Sequence, residues 1–370
     1  MSAHPDTIVI GGGVIGCSIA WRLARAGVRV LVLERAIPGA EASSAAAGIL
    51  GAQEESHGPG PLTDLFLASR ARFPAVAAEL RDETGLDIGH RETGLIAACF
   101  DEAEAEVLEG RYAWQRDAGL RVAWLRGGDL RDAEPGLGPA VIAGLAFPDD
   151  GQLEPRVYLR ALSLAAAAAG ARFSSGAYVR RVLHEGGRVA GVELEGEVHR
   201  ADRVVVAAGS WSSLVEGATL APRAVRPMRG QIAQLETRPP LIRGTVTCAG
   251  GYVVGRADGR VLAGSTMELV GYDKRVTAGG LRHVLDLAVR LAPALAEAAF
   301  TDSWANFRPL TGDELPLIGA AGPDGLILAT GHFRNGILLS AITADLVCEL
   351  VTRGQTSRDL APFSPSRLAS

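Results

Sequence analysis

One stretch near the amino end constrains the fold more than any other: TIVIGGGVIGCSIAWRLARAGVRVLVLER, residues 7–35. A short apolar run, a glycine turn, a helical stretch closed by Gly27 and a second apolar run make a complete βαβ unit. Its two strands must lie parallel, because a helix connects them. Gly11, Gly13 and Gly16 spell G-x-G-x-x-G at the turn from strand to helix. That motif meets three demands at once: a tight turn, close approach of backbone to a pyrophosphate, and contact between helix and strand. The helix start, with Val14 and Ile15, aims backbone N–H groups and the positive end of its dipole at the phosphates. Glu34 closes the second strand 18 residues past Gly16. A carboxylate there accepts hydrogen bonds from a ribose and disfavours a 2′-phosphate, so NADP is not expected. The fingerprint alone does not separate FAD from NAD.

The rest of the chain alternates helical stretches near 61–84, 102–118, 154–170, 279–298 and 336–352 with short strands. A length of 370 residues predicts two domains and room for a large buried cofactor. No proline- or serine-rich linker divides the chain, which points to domains that exchange segments. The fold class is therefore α/β within an α+β whole: a Rossmann-type nucleotide-binding domain interleaved with an antiparallel-sheet domain. The boundaries are set at 1–85, 150–215 and 310–370 for the first and 86–149 and 216–309 for the second. A net charge of -5 with no basic run excludes a nucleic-acid face. Cys17, Cys99, Cys248 and Cys348 form neither a Cys-x-x-Cys pair nor a cluster with histidine, so no disulfide and no metal site is expected. A reducing cytoplasm and the absence of a membrane span fit the same pattern.

Several blocks carry a resemblance, in order and over nearly the whole chain: SSAAAGILGAQEE (43–55), ADRVVVAAGSW (201–211), RPMRGQ (226–231), GYVVGR (251–256), GRVLAGSTME (259–268), FRPLTGDELPLIG (307–319) and GHFRNGILLSAITA (331–344). Together they resemble the glycine oxidase branch of the D-amino-acid oxidase family of flavoproteins. The resemblance implies FAD and a cofactor set that extends the glycine turn and Glu34 by Arg35, Ser43, Ser44, Ala46, Ala47 and Gly48. Val182, Ala208, Gly209 and Trp211 join it, followed by Gly331, His332, Arg334, Asn335, Gly336 and Ile337. Each block also has a plainer reading, as a small-residue loop, a strand end or a helix start. A cysteine that would attach the flavin is missing from Pro309–Glu314, so the FAD is expected to be non-covalent.

An amino-acid carboxylate calls for a forked donor, and arginine supplies one. All but one of the 37 basic residues are arginine, so a lone arginine says little. Arg308, between Phe307 and Pro309, is the candidate, because its block resembles the family's carboxylate-binding segment. The resemblance adds Tyr252 as the pocket tyrosine and Arg334 as an arginine near flavin and substrate, with its contact left open. It also adds Ile49, Leu50 and Met267 as apolar lining. A histidine that can precede the pocket tyrosine is replaced by Cys248-Ala249-Gly250-Gly251. The implied reaction is oxidation of glycine, sarcosine or a small D-amino acid by oxygen, giving a keto acid, ammonia and hydrogen peroxide. The imine formed on the way is the species that thiamine thiazole synthesis would draw on. Two alternatives stay open at this point: a dehydrogenase serving another electron acceptor, and a flavoprotein subunit without activity. The oligomeric state is open too, a homo-oligomer included.

Overall fold

The computed structural model describes residues 4–368. Strand β1 (Thr7–Ile10), helix α1 (Val14–Arg25) and strand β2 (Val30–Glu34) form the expected unit, with β1 and β2 parallel and Thr7 opposite Val30. Both strands are buried along their whole length, which is why they read as unbroken apolar runs and not as alternating ones. Helix α1 buries Val14, Ile15, Ile19, Trp21 and Leu23, and each large apolar side chain so covered contributes roughly 1.5–3 kcal/mol.

Around this unit runs a six-stranded sheet in the order 317–320, 326–330, 203–206, β1, β2, 172–175. It is parallel except for Leu317–Ala320, which pairs antiparallel with Leu326–Thr330. Helix α1 packs on one face with the helices Pro155–Ala168 and Gly336–Arg353. A three-stranded antiparallel sheet, 181–185, 188–194 and 197–200, covers the other through Val182, Val189 and Val192. A second large sheet has eight strands in the order 299–311, 225–236, 260–264, 251–255, 245–248, 95–99, 143–147, 123–126. Every pair in it is antiparallel except 245–248 with 95–99. The six strands of the first sheet fall in segments 1–85, 150–215 and 310–370. Those of the second fall in 86–149 and 216–309, with Ala299–Thr311 running two residues past that line.

Two of the expected helices are divided. The 61–84 stretch is Pro61–Arg70 and Phe73–Thr84, the second with Pro74 in its first turn, where a missing N–H does no harm. The 279–298 stretch is the helix Ala278–Leu291 followed by a 3-10 turn at Pro293–Glu297, since Pro293 cannot donate to the preceding turn. Segment Phe333–Arg353 is long and apolar enough to cross a bilayer, with mean hydropathy 1.4, yet 61% of that window is buried inside the protein. It packs against α1 and the Pro61–Arg70 helix, and its hydropathy is that of a core helix.

Candidate active site

The carboxyl ends of β1, β2 and the strand Arg203–Val206 open onto one cavity of about 360 Å³, whose far wall is the eight-stranded sheet. Such a crest of strand ends is where an open α/β sheet binds its ligand. Gly11 turns the chain at φ +106°, and a Cβ there would stand 2.5 Å from the Ala207 carbonyl oxygen. At Gly16 a Cβ would stand 1.9 Å from the Gly11 carbonyl oxygen, so Gly16 packs helix on strand and does not line the cavity. Gly13 does line it; a Cβ there would meet only the Ser43 Oγ, at 3.2 Å. Helix α1 has no side-chain cap at Gly13, and Val14 N–H donates to Ser43 Oγ at 2.8 Å. Glu34 is 8% exposed, and its carboxylate is aimed by the N–H groups of Gly12 at 2.7 Å and Ala36 at 2.9 Å. The Arg35 guanidinium lies 3.7 Å from the centre of the Trp211 ring and pairs with Glu41. Ala46, Ala47, Gly48, Ala208 and Gly209 line the same cavity.

Besides Gly16, four expected site residues lie elsewhere. Ser44 sits on the turn Ala42–Ala45 beside Ser43, but neighbours on a helical turn point apart, and Ser44 packs toward Gly39. Val182 is buried in the layer between the small sheet and the parallel sheet, its N–H given to the Glu216 carbonyl at 2.8 Å; Ala177 and Val179 line the cavity in its place. Leu50 is 1% exposed and belongs to the core, because strand side chains alternate and Ile49 takes the cavity side. Gly331 makes the turn at φ +73° packed by Thr311, one residue short of the wall formed by His332, Arg334, Asn335, Gly336 and Ile337.

The eight-stranded sheet supplies the polar end. Arg308, half-buried, reaches the cavity across the space left by Gly230, where a Cβ would lie 2.2 Å from its Nη1. Its Nη1 donates to the Thr266 carbonyl at 3.1 Å and its Nη2 to Ser265 Oγ. It has no ion-pair partner among the described residues. Tyr252 stands beside it, and burial raises its phenol above the usual range, so the hydroxyl remains a donor at neutral pH. Met267 is 58% exposed at the rim. Cys248, Gly250 and Gly251 line the wall where the resemblance would place a histidine, and burial pushes the Cys248 thiol up to about 12. Arg334 is committed within the protein: its Nη2 donates to Glu55 Oε2 at 2.8 Å, and Asn335 Nδ2 reaches the same oxygen at 3.2 Å. His332 is 3% exposed, with Nε2 at 3.1 Å from Thr343 Oγ1, and burial drops its ring to about 3, which keeps it neutral. Among the described residues no group of His, Cys, Asp and Glu is arranged to hold a metal. Gly230, Ser265 and the pair Glu54–Glu55 escaped the sequence reading. The acidic pair closes the small-residue block 43–55, and that was its signal.

A family model described as FAD dependent oxidoreductase (DAO) matches residues 6–350. The chain belongs to this family. It is 40% identical over 372 residues to a glycine oxidase of Geobacillus kaustophilus, covering 99% of this chain and 98% of the relative. The crystal structure of glycine oxidase from that organism superposes with a TM-score of 0.95 at 39% identity, with all of both chains covered. A bifunctional ThiO/ThiG protein of Synechocystis is 36% identical over 99% of this chain and 54% of its own length. FAD is thus the cofactor, and the residues present fit it. The glycine turn leaves backbone bare toward the cavity, the Glu34 carboxylate is fixed at the end of β2 where it would meet a ribose, and the starts of α1 and Gly336–Arg353 would offer N–H groups to phosphate and to a flat ring.

Proposed function

We propose that this enzyme oxidises glycine, and with it sarcosine and small D-amino acids, using oxygen. Glycine, oxygen and water give glyoxylate, ammonia and hydrogen peroxide. The observation that carries the reading is Arg308: a guanidinium at the cavity, held only by neutral oxygens of Ser265 and Thr266, with no acidic partner among the described residues. A half-buried cation facing a cavity in that condition is completed by an anionic ligand, and two parallel N–H groups suit a carboxylate.

When bound, the flavin supplies the acceptor for the hydride leaving Cα. This chain's own residues hold the substrate for it. Arg308 fixes the carboxylate, and the Tyr252 hydroxyl adds a neutral donor beside it. Ile49 and Met267 bound the apolar space around Cα, which favours small substrates by only about 1–3 kcal/mol per methylene, so activity on D-alanine is expected. His332 is neutral and spent on Thr343, leaving it no acid–base role. The amine reacts as the neutral form, and turnover at low substrate rises with pH accordingly. We assign Tyr252 and Arg308 to substrate, the glycine turn and Glu34 to the dinucleotide, and Arg334 to the wall between them. We place the domain division where the two large sheets divide. The likeness to a ThiO/ThiG protein supports a place in thiamine synthesis. Location in the cytoplasm accords with four free cysteines. Peroxide release over a panel of amines tests the reading: glycine and sarcosine should lead and bulky D-amino acids trail, and a panel led by a bulky substrate overturns it.

A further inference from the structure

Glu54 and Glu55 are neighbours in sequence and both line the cavity, yet their carboxylates are used differently. That of Glu55 is taken by Arg334 and Asn335. That of Glu54 accepts no hydrogen bond and forms no ion pair among the described residues, although its backbone is fixed with care. The Glu54 N–H donates to Asp150 Oδ2 at 3.0 Å, its carbonyl accepts from Arg111, and the N–H of Gln53 reaches Asp150 at 3.1 Å. Asp150 is itself fully buried and clamped by Arg70 at 2.7 Å. The position of Glu54 is therefore set by a buried polar network, while its charge is left for whatever enters the cavity. A fixed carboxylate of that kind disfavours a second negative charge in the ligand and tolerates a neutral one.

Four charged groups act on it from the elements packed around it. Burial is the largest influence; with Glu55 and Asp150 it opposes ionisation and outweighs Arg111 and Arg334, which favour it, pushing the carboxyl up to about 8. The two arginines stay charged across the working range. Glu54 thus changes from neutral to anionic as pH rises through about 8, within the range where the enzyme would be assayed.

Resting on the small-amine oxidase reading above, we propose that Glu54 is a specificity residue that filters substrates by charge, rejecting amino acids whose nitrogen or Cα substituent carries a second carboxylate. The matched probes are iminodiacetate and its monoamide, alike in shape and differing by one charge. Their specificity constants are compared, or their inhibition constants against glycine if neither is turned over. At pH 9 the preference for the monoamide should be about tenfold or more larger in the wild type than in Glu54→Gln, which keeps the shape and removes the charge. That wild-type-to-variant ratio, from which the titration of the probes' own amines cancels, should grow between pH 7 and pH 9. Glu54→Ala gives the same comparison if Glu54→Gln folds poorly. A ratio near one at pH 9 overturns the filter. Reduction of the bound flavin by glycine is measured first: its absence refutes the oxidase reading, whereas normal reduction with an unaltered preference refutes the role of Glu54 alone.

Discussion

The two large sheets meet at one cavity but reach it by opposite means. On the parallel side a single contiguous stretch, Gly11 to Glu34, carries the turn, the helix start and the acid, and it presents largely backbone to the cavity. On the antiparallel side the site is assembled from strands far apart in sequence: Arg308 from one, Gly230 from its neighbour, Ser265 from the end of a third, Tyr252 from a fourth. There, side chains face the cavity. Backbone sites tolerate no extra atoms, while side-chain sites fail by losing a charge, and the variants below are chosen to separate these two modes of failure.

The largest effect should come from the glycine turn, and it should differ between two of its members. Gly16→Val drives a side chain into the Gly11 carbonyl at 1.9 Å, so soluble folded protein should be lost. At Gly13 a Cβ meets only Ser43 Oγ, at 3.2 Å, and the rest of the leucine in Gly13→Leu would extend into the cavity where the phosphates are expected. That variant should fold and lose its flavin, as read by circular dichroism beside flavin absorbance. Retention of flavin by folded Gly13→Leu would move the pyrophosphate elsewhere. In the wild type all flavin should separate from acid-precipitated chain, since the Pro309–Glu314 segment offers no cysteine for attachment.

Next in size is the charge failure. Arg308→Ala should weaken substrate binding by about 2–5 kcal/mol while flavin content holds, seen as a steep rise in KM for glycine. Arg308→Lys should recover part of that loss, because a point charge lacks the fork. An unchanged KM in Arg308→Ala would remove the carboxylate site from the antiparallel sheet and dissolve the contrast between the two sides.

This contrast also explains what the sequence made legible. The βαβ unit could be read outright because all its parts lie within 29 residues and each has a distinct physical reason. Arg308 could be picked from a chain full of arginines only through the block around it. The misplacements of Ser44, Val182 and Leu50 share a cause: each lies within three residues of one that does line the cavity, and orientation on a turn or strand is decided by packing. Glu54 was passed over because nothing local in sequence distinguishes a free carboxylate from one already spent, as Glu55 is on Arg334.

A smaller effect should appear in stability at the junction of the two sides. His332 is buried as the neutral ring, with its folded pKa lowered to about 3, below the unfolded value of about 6.5. Its contribution is complete above about pH 6.5 and is lost as pH falls toward 3, at up to about 1.4 kcal/mol per pH unit. His332→Asn should show a shallower fall of Tm than the wild type between pH 6.5 and 4.5. Parallel curves would mean that other groups govern acid stability.

The most direct test of the whole account is anaerobic mixing of the flavin-loaded enzyme with glycine, followed by admission of oxygen. Bleaching of the flavin absorbance, then recovery with one peroxide per flavin reoxidised, is the predicted result. Bleaching without recovery on oxygen would make the enzyme a dehydrogenase, and no bleaching by glycine or any small amine would contradict the assignment of Arg308 and its cavity to an amino-acid substrate.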